Sequence, residues 1–240
     1  MTLPETDPSV GPLVREFFRE QSPADAVTAA EGADLATDLW RQVDGMGLPG
    51  IGIDEETGGS GGSVLDLVEV LKAQGASSAP VPLAENHLAR WAAARTGLTL
   101  DDGLAVLSPG EPRDSLTVED GRARGTLHDV PWARAATTVV TTVTVDGSPH
   151  VVALPVEAAQ VRSGLDLAGQ PKDRVSVEGV EVSPVAWDGS PHAIRHRALL
   201  LRGAQMAGAL EAVSDMTRRY TTEREQFGRP IAKFQSVQEH

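Results

Sequence analysis

The sequence predicts an α+β protein in three consecutive parts: an N-terminal helical domain, a middle antiparallel β domain and the start of a C-terminal helical bundle. Three observations predict this order. Apolar residues recur at helical spacing over residues 1–100, β-branched and alternating segments occupy residues 101–188, and helical spacing returns over residues 189–240. We expect the domain boundaries at these positions, and no repeat or low-complexity segment interrupts them.

The N-terminal part is predicted to be mainly helical. Ser63 is a favourable N-cap, and Asp66 three residues later approximates a capping box, which predicts a helix that ends near Gly75. Gly97 is a typical helix terminator. The predicted helices lie around residues 13–18, 35–44, 64–75 and 84–95.

The middle part carries strand signals. Residues 137–145 are almost all β-branched, Asp146-Gly147 follows, and an apolar run resumes at residues 151–154, which predicts a hairpin. Residues 174–182 alternate between polar and apolar side chains, as a half-buried strand does. These segments predict a small antiparallel β domain.

The C-terminal part returns to helix. Pro191 suits a first helical turn, and small residues between 203 and 212 would let a neighbouring helix approach closely. We expect this helix to break near Thr221-Thr222 and a turn to form at residues 228–231. A further helix begins there, and the sequence stops within it.

Composition excludes several classes of protein. Lys and Arg total 21 against 34 Asp and Glu, a formal net charge of −13 that disfavours nucleic acid as a partner. The absence of cysteine excludes disulfides, thiol nucleophiles and cysteine-ligated metals. The acidic, polar start does not resemble a signal peptide, and the apolar runs are too short to span a membrane. We therefore expect a soluble protein of the reducing cytoplasm.

A glycine-rich segment is the first candidate site. Residues 48–53 are short and apolar, as a strand would be, and residues 58–63 are rich in glycine before a predicted helix. Such loops bind phosphate groups. However, no Lys-Ser/Thr pair follows the glycines and the GxGxxG spacing is absent, so a tight turn is the favoured interpretation.

Histidine and acidic pairs are the other local candidates. His192 and His196 are four residues apart on a predicted helix, but Arg195 beside them disfavours a cation, and we predict no metal site. The adjacent acids Glu55-Glu56 and Asp101-Asp102 are expected to face water.

The most informative segment is residues 220–238. It places Arg224 before a Phe-Gly turn at the junction of two helices. The guanidinium could bind a diphosphate through two parallel hydrogen bonds, although a surface arginine in a helical pair explains the residue equally well.

This segment resembles the signature of the acyl-CoA dehydrogenase family, Arg-x-x-Phe-Gly followed by a helix with an aromatic residue and glutamines. The match covers Arg224 to Gln238 closely. Residues 47–63 are similar to the glycine-rich loop of the family's N-terminal domain, residues 79–82 form a similar turn, and the order of the three parts also agrees.

The resemblance implies an FAD enzyme that oxidises an acyl-CoA thioester to its 2,3-enoyl form, in fatty acid or steroid side-chain degradation. A carboxylate base removes the α-proton, and the β-hydrogen leaves as hydride to the flavin. In this family a helix pair of one subunit reaches the FAD of its neighbour. By that resemblance Arg224 and Gln226 contact the FAD diphosphate region, Phe227 packs beside it, and Phe234 and Gln235 lie at further cofactor-contact positions.

Two stretches depart from the family pattern. Residues 107–114 retain only Pro109, Gly110 and Asp114 of the motif that usually opens the β domain. Asp129-Val130-Pro131 stands where the family has Trp-Ile/Val-Thr beside the flavin ring, so an aromatic ring and a hydroxyl donor are lost, and proline removes a backbone donor.

No residue of the sequence is assigned as the catalytic base. The family places it beyond residue 240 or near Ala198, whose neighbours Arg197 and Leu199 are not bases. Two hypotheses remain open. The chain is part of a catalytic dehydrogenase, as a homo- or hetero-oligomer, or it is a non-catalytic subunit that completes the FAD site of a heteromeric partner. The identity of the acyl group is left open, although the small residues of the bundle helix leave room for a steroid side chain.

Overall fold

The structure, a computed structural model, describes residues 6–190 and 192–238. Pro191, which was predicted in the first turn of the last long helix, lies outside them. None of the helices in these two ranges combines the length and the apolar character that crossing a membrane requires.

The N-terminal part is helical, as predicted. The capping box of Ser63 and Asp66 is present, with the Asp66 N–H donating to the Ser63 hydroxyl over 3.2 Å, and Gly97 ends the last helix with a positive φ of 73°. One short helix was not predicted, because none of its residues is buried. The helices are α1 (Val10–Gln21), α2 (Ala24–Ala29), α3 (Thr37–Gly45), α4 (Val64–Ala76) and α5 (Leu83–Thr96).

The expectation of a strand at residues 48–53 is wrong. Leu48–Gly50 is a single 3-10 turn, and a lone bridge joins Ile53 to Gly61. Pro49 has no N–H to donate, and Gly52 takes a φ of 76°, so no strand ladder extends through this segment. The glycine-rich segment is therefore a compact turn before α4.

The middle part contains two four-stranded sheets with the orders β1–β4–β5–β8 and β2–β3–β7–β6. The pairings are antiparallel except that of β1 with β4, which is parallel. Asp146 and Gly147, with φ of 51° and 76°, close the predicted hairpin between β4 and β5. The strands are β1 (Ala105–Leu107), β2 (Thr117–Glu119), β3 (Arg122–Pro131), β4 (Thr138–Val145), β5 (Ser148–Pro155), β6 (Gln160–Arg162), β7 (Lys172–Glu181) and β8 (Val185–Ala186).

The long helix α6 (Ala193–Glu223) joins the last part to the first. It crosses α4 so closely that a Cβ atom on Gly208 would overlap the Lys72 carbonyl, and one on Gly75 would overlap the Gln205 carbonyl. The helix ends one residue after the predicted break. A two-stranded ribbon follows, made of β9 (Glu225–Gln226) and β10 (Arg229–Pro230), and then α7 (Gln235–Gln238).

The second half of α6 presents large apolar side chains to solvent. Leu210, Val213, Met216 and Tyr220 are between 56% and 66% exposed. The first half of the helix, by contrast, buries Ile194, Leu201, Ala204 and Gly208 against the rest of the chain. Helix α6 therefore forms part of the core along only half of its length.

Candidate functional site

A cavity of about 580 Å³ lies where α4, α5 and α6 meet the sheets. Its helical wall, as we call it, is one face of α6 together with the end of α4 and the start of α5. Its sheet wall is formed by loops at the strand ends. The helical wall contains Gln74, Ala84, Glu85, Leu88, Arg195, Ala198, Leu199, Arg202, Gln205, Met206 and Ala209; the sheet wall contains Leu107, residues 109–112, Asp129, Pro131, Trp132 and parts of residues 166–172.

A polar network crosses the helical wall. Arg202 donates from one Nη to Glu85 Oε1 over 2.5 Å and from the other to Gln205 Oε1 over 2.7 Å. Gln205 then donates to Gln74 Oε1 over 2.7 Å, and Gln74 donates to the Val81 carbonyl over 2.8 Å. The network joins three helices at the cavity surface and ends on the turn before α5.

A second pair, formed by the buried His87 and the partly buried Arg197, joins α5 to α6 next to this wall. His87, fully buried, donates from Nδ1 to the Pro49 carbonyl over 2.9 Å, and its Nε2 accepts from Arg197 Nε and Nη2 over 3.1 and 2.9 Å. The Arg197 guanidinium also lies 4.6 Å from the centre of the Trp91 ring.

These contacts require a neutral imidazole. Burial, and to a lesser extent the charge of Arg197, lowers the pKa of His87 to about 3. Burial and the charge of Arg95 lower the pKa of Arg197 to about 10, so it stays protonated at neutral pH. The charged Arg197 on α6 therefore donates to the neutral His87 on α5, and this contact holds the start of α6 against α5.

The sheet wall is organised by a carboxylate. Asp114 accepts the N–H groups of Glu111 over 2.8 Å and of His128 over 2.7 Å, which folds the loop that follows β1. Arg113 forms an ion pair with Asp129 at the cavity edge. Of the family-like residues retained in this loop, Asp114 thus has a structural role.

The adjoining backbone offers few donors to a cavity ligand. Pro131 has no N–H, and the N–H of Trp132 donates to the Pro171 carbonyl over 3.1 Å. Asp129 contributes a carboxylate and no donor side chain. A flavin ring accepts hydrogen bonds at its carbonyl groups and at N5, so residues 129–132 fit that ring poorly, and outside that stretch the donor side chains on this wall are those of Gln170 and Lys172.

The segment after α6, residues 224–235, forms what we call the C-terminal hairpin. Phe227 and Gly228, with φ of 52° and 73°, make its turn. The Ile231 N–H donates to the Arg224 carbonyl over 2.9 Å, which closes the base. The Phe227 ring, 93% exposed, lies 6.3 Å from the Phe234 ring, centre to centre.

The predicted cofactor-binding residues all lie in this hairpin. They are Arg224, Gln226, Phe227, Phe234 and Gln235. Within residues 6–190 and 192–238, the Arg224 guanidinium has no ion pair and no side-chain hydrogen bond. Among the described residues, this turn therefore presents an unpaired guanidinium and an exposed amide, both of which are hydrogen-bond donors.

The hairpin and the cavity of one chain are far apart. Arg224 follows Ala209, the last residue of α6 that lines the cavity, by 15 residues, which corresponds to about 22 Å at about 1.5 Å per residue. No side chain spans that distance. The two regions of one chain therefore do not meet in a single contact.

The remaining sequence candidates lie at the surface. His192 and His196 are exposed, with ring centres 5.9 Å apart. In the part of the chain that the structure describes, no cluster of three potential metal ligands forms. Glu55-Glu56 and Asp101-Asp102 are exposed as well.

Sequence reasoning missed the two networks of the helical wall. Glu85 and Arg202 are 117 residues apart, and His87 and Arg197 are 110 apart, so no local spacing pairs them. One signal was present, because Glu85 interrupts the apolar face that Val81, Ala84 and Leu88 begin at helical spacing.

Comparison with known families adds to this geometry. Residues 8–97 match the family described as "Acyl-CoA dehydrogenase, N-terminal domain", and residues 196–240 match "Acyl-CoA dehydrogenase, C-terminal domain", together more than half of the chain. The chain belongs to the acyl-CoA dehydrogenase family. This family consists of FAD-dependent oxidoreductases, so the family, the enzyme class and the cofactor that the sequence predicted are confirmed.

Individual relatives agree with this assignment. The chain is 28% identical over 238 residues to the acyl-CoA dehydrogenase IpdE2 of Mycolicibacterium smegmatis, an alignment that covers 93% of this chain and 69% of that protein. It matches the ChsE4–ChsE5 complex of Mycobacterium tuberculosis with a TM-score of 0.87 at 24% identity, covering 100% of this chain and 73% of the other. A variant of the Tcur3481–Tcur3483 steroid acyl-CoA dehydrogenase matches with a TM-score of 0.82 at 24% identity, covering 96% and 70%. These structures show the same fold.

Proposed function

We propose that this chain is a subunit of an FAD-dependent acyl-CoA dehydrogenase that oxidises the Cα–Cβ bond of an acyl-CoA thioester, and that its C-terminal hairpin binds FAD at a boundary between subunits. One observation carries the proposal. The hairpin presents an Arg224 guanidinium that is unpaired within residues 6–190 and 192–238, about 22 Å along α6 from Ala209, the last residue of that helix in the chain's own cavity.

The chain's own residues have separable roles in this proposal. The cavity receives the acyl group, because Ala84, Leu88, Leu199 and Met206 supply apolar surface on its helical wall. Arg224 donates two parallel hydrogen bonds to phosphate oxygens of FAD, with Gln226 as a further donor beside it. FAD, when bound, supplies the acceptor for the hydride equivalent that leaves the β-carbon.

A second role, that of a non-catalytic partner subunit, is favoured by the sheet wall. Pro131, the engaged N–H of Trp132 and the carboxylate of Asp129 give a flavin ring poor support within this chain. A hairpin that serves a neighbour's flavin does not need a flavin ring in its own cavity. The matched ChsE4–ChsE5 complex contains two differently named chains, which supports a hetero-oligomer.

The same comparisons support one class of substrate. The Tcur3481–Tcur3483 protein is named a steroid acyl-CoA dehydrogenase. The cavity of about 580 Å³ has the size of sites that hold ligands larger than a short linear chain. We therefore infer a bulky, ring-containing acyl group.

The test is the flavin content and activity of the natural assembly. The tagged chain is isolated from its own host with whatever binds it, the chains are identified by mass spectrometry, and FAD per chain is measured from absorbance. Acyl-CoA oxidation is followed with an artificial electron acceptor. We expect bound FAD and turnover in the assembly.

The stoichiometry separates the two roles. One FAD per copy in a homo-oligomer would support a catalytic site in this chain and contradict the partner role. One FAD per pair of unlike chains would support the partner role. An assembly with neither FAD nor acyl-CoA oxidation would contradict the whole proposal.

A further inference from the structure

One oxygen of a buried carboxylate in the helical wall has no hydrogen-bond partner among the residues that the structure describes. Glu85 Oε1 accepts from Arg202 over 2.5 Å, whereas Oε2 receives no hydrogen bond from any residue within 6–190 and 192–238. The Glu85 side chain is only 7% exposed and lines the cavity. A donor for Oε2 therefore has to come from inside the cavity.

The neighbouring donors are already committed. Arg202 divides its two Nη groups between Glu85 and Gln205, the Gln205 amide donates to Gln74 Oε1, and the Gln74 amide donates to the Val81 carbonyl. These contacts hold Glu85 in place and leave Oε2 as an open acceptor beside apolar surface.

A purely hydrocarbon acyl group would fit this wall poorly. It would displace water from Oε2 and leave a buried charged oxygen without a hydrogen bond, which is costly. A ligand hydroxyl that donates to Oε2 avoids that cost, and a site built around such a bond discriminates against the analogue that lacks it.

We propose that the cavity receives an acyl group that carries a hydroxyl group, and that Glu85 accepts a hydrogen bond from this hydroxyl. The inference rests on the proposed function, since it names the class of acyl-CoA that this cavity accepts. Glu85 is a specificity-determining residue in this proposal.

At Oε2 itself, charge favours a ligand hydroxyl over a ligand acid, because a ligand carboxylate there would face the Glu85 carboxylate directly. The cavity lining also contains the acids Glu111, Asp129 and Asp166 and the cations Lys172, Arg195 and Arg202, of which Arg202 is already bound to Glu85. A ketone oxygen needs a donor, whereas the open group of Glu85 is an acceptor. A hydroxyl on an otherwise apolar ring or chain satisfies both the carboxylate and the surrounding apolar surface.

The experiment compares matched thioesters. Binding of cyclohexylacetyl-CoA and 4-hydroxycyclohexylacetyl-CoA, and of decanoyl-CoA and 10-hydroxydecanoyl-CoA, is measured by calorimetry on the purified assembly. The two pairs place the hydroxyl at different depths. We expect the hydroxylated member to bind at least about tenfold more tightly in one or both pairs, as expected for a hydrogen bond to a charged group.

Variants assign the preference to Glu85. Glu85→Met keeps most of the side-chain volume, removes both oxygens and is expected to reduce the preference to about twofold or less. Glu85→Gln keeps the shape and a neutral acceptor, and is expected to retain about threefold. If Glu85→Met does not fold, Glu85→Gln carries the test. Glu111→Gln, which removes a carboxylate of the sheet wall, is the matched control and should keep the full preference.

The possible failures are distinguishable. Equal affinities within both pairs in the unmodified assembly would overturn this inference and leave the proposed function intact. A preference that survives in Glu85→Met or is undiminished in Glu85→Gln would overturn the role of Glu85. Failure of all four thioesters to bind would overturn the proposed function together with the inference.

Discussion

The two halves of α6 share one continuous backbone but differ in what surrounds them. The first half, residues 193–209, packs on α4 through glycines, places Arg197 and Arg202 in hydrogen-bond networks with α5, and lines the cavity. The second half, residues 210–223, exposes large apolar side chains and ends in the C-terminal hairpin.

The difference shows which contacts the chain satisfies by itself. Leu201 in the first half is fully buried, whereas Leu210 in the second half is 66% exposed. Contiguous exposed apolar surface of this kind marks a surface that binds another protein element. The first half therefore has one buried face, although Leu199, Leu200 and Met206 on it are also exposed, whereas residues 210–223 bury no side chain and present a binding surface.

Gly208→Ala is the largest expected disruption of the first half. The added methyl group overlaps the backbone of α4 at Lys72, so we expect a loss of about 3 kcal/mol in the free energy of unfolding. Gly203→Ala is the matched control, since nothing lies within 4 Å of its added Cβ, and should stabilise by about 1 kcal/mol. Urea denaturation measures both. Equal effects would mean that the helix crossing is looser than the structure shows.

The buried His87 gives the first half a pH dependence. Its folded pKa of about 3 lies below the unfolded value of 6.5, so its contribution is fully present above pH 6.5 and is lost as the pH falls toward 3. At pH 5 we expect a loss of about 2 kcal/mol relative to pH 7.5 from this residue. His87→Gln, which does not titrate, should lack that part of the loss. Parallel stability curves for the two proteins would contradict the neutral buried imidazole.

Arg224→Ala tests the end of the second half. A charge-assisted bond to phosphate contributes about 1.5–3 kcal/mol, so we expect FAD to bind the assembly about ten- to a hundredfold more weakly. Arg224→Lys should recover only part of the affinity, because an ammonium group lacks the planar pair of donors. FAD titration of the apo-assembly measures this, with Arg219→Ala on exposed α6 as a control. Unchanged affinity would mean that Arg224 is a surface residue of a helical hairpin.

The smallest effect on stability is expected at the exposed apolar side chains. Leu210→Gln should change the free energy of unfolding by less than about 0.5 kcal/mol, whereas Leu201→Ala should cost about 2–5 kcal/mol. Light scattering should show weaker self-association or weaker partner binding for Leu210→Gln. A large loss of stability together with unchanged assembly would contradict the division of α6 into two halves.

Most of the secondary structure could be predicted from local sequence patterns. The capping box of Ser63 and Asp66, the Asp146-Gly147 hairpin and the glycine that ends α5 are decided by residues close in sequence, and each is present. The parallel pairing of β1 with β4 is present but was not predicted, because the pattern of a three-residue strand is too short to indicate which strand lies next to it. The strand expected at residues 48–53 is wrong because glycine and proline override its apolar character.

The candidate site also has a part that the sequence predicts and a part that it does not. The hairpin residues were predicted from one contiguous motif, and their role in cofactor binding stays a prediction. The cavity networks join α5 to α6 across more than 100 residues, and a single sequence holds no spacing that pairs Glu85 with Arg202. Only the fold brings those side chains together.

The separation of cavity and hairpin along α6 has a genetic consequence. If the hairpin of one subunit serves the flavin of another, a chain with a damaged hairpin and a chain with a damaged cavity can together build an intact site in a mixed oligomer. Two inactive alleles in one cell would then restore activity by complementation. Selection would act on pairs of subunits, and the two ends of α6 could diverge into chains with separate duties.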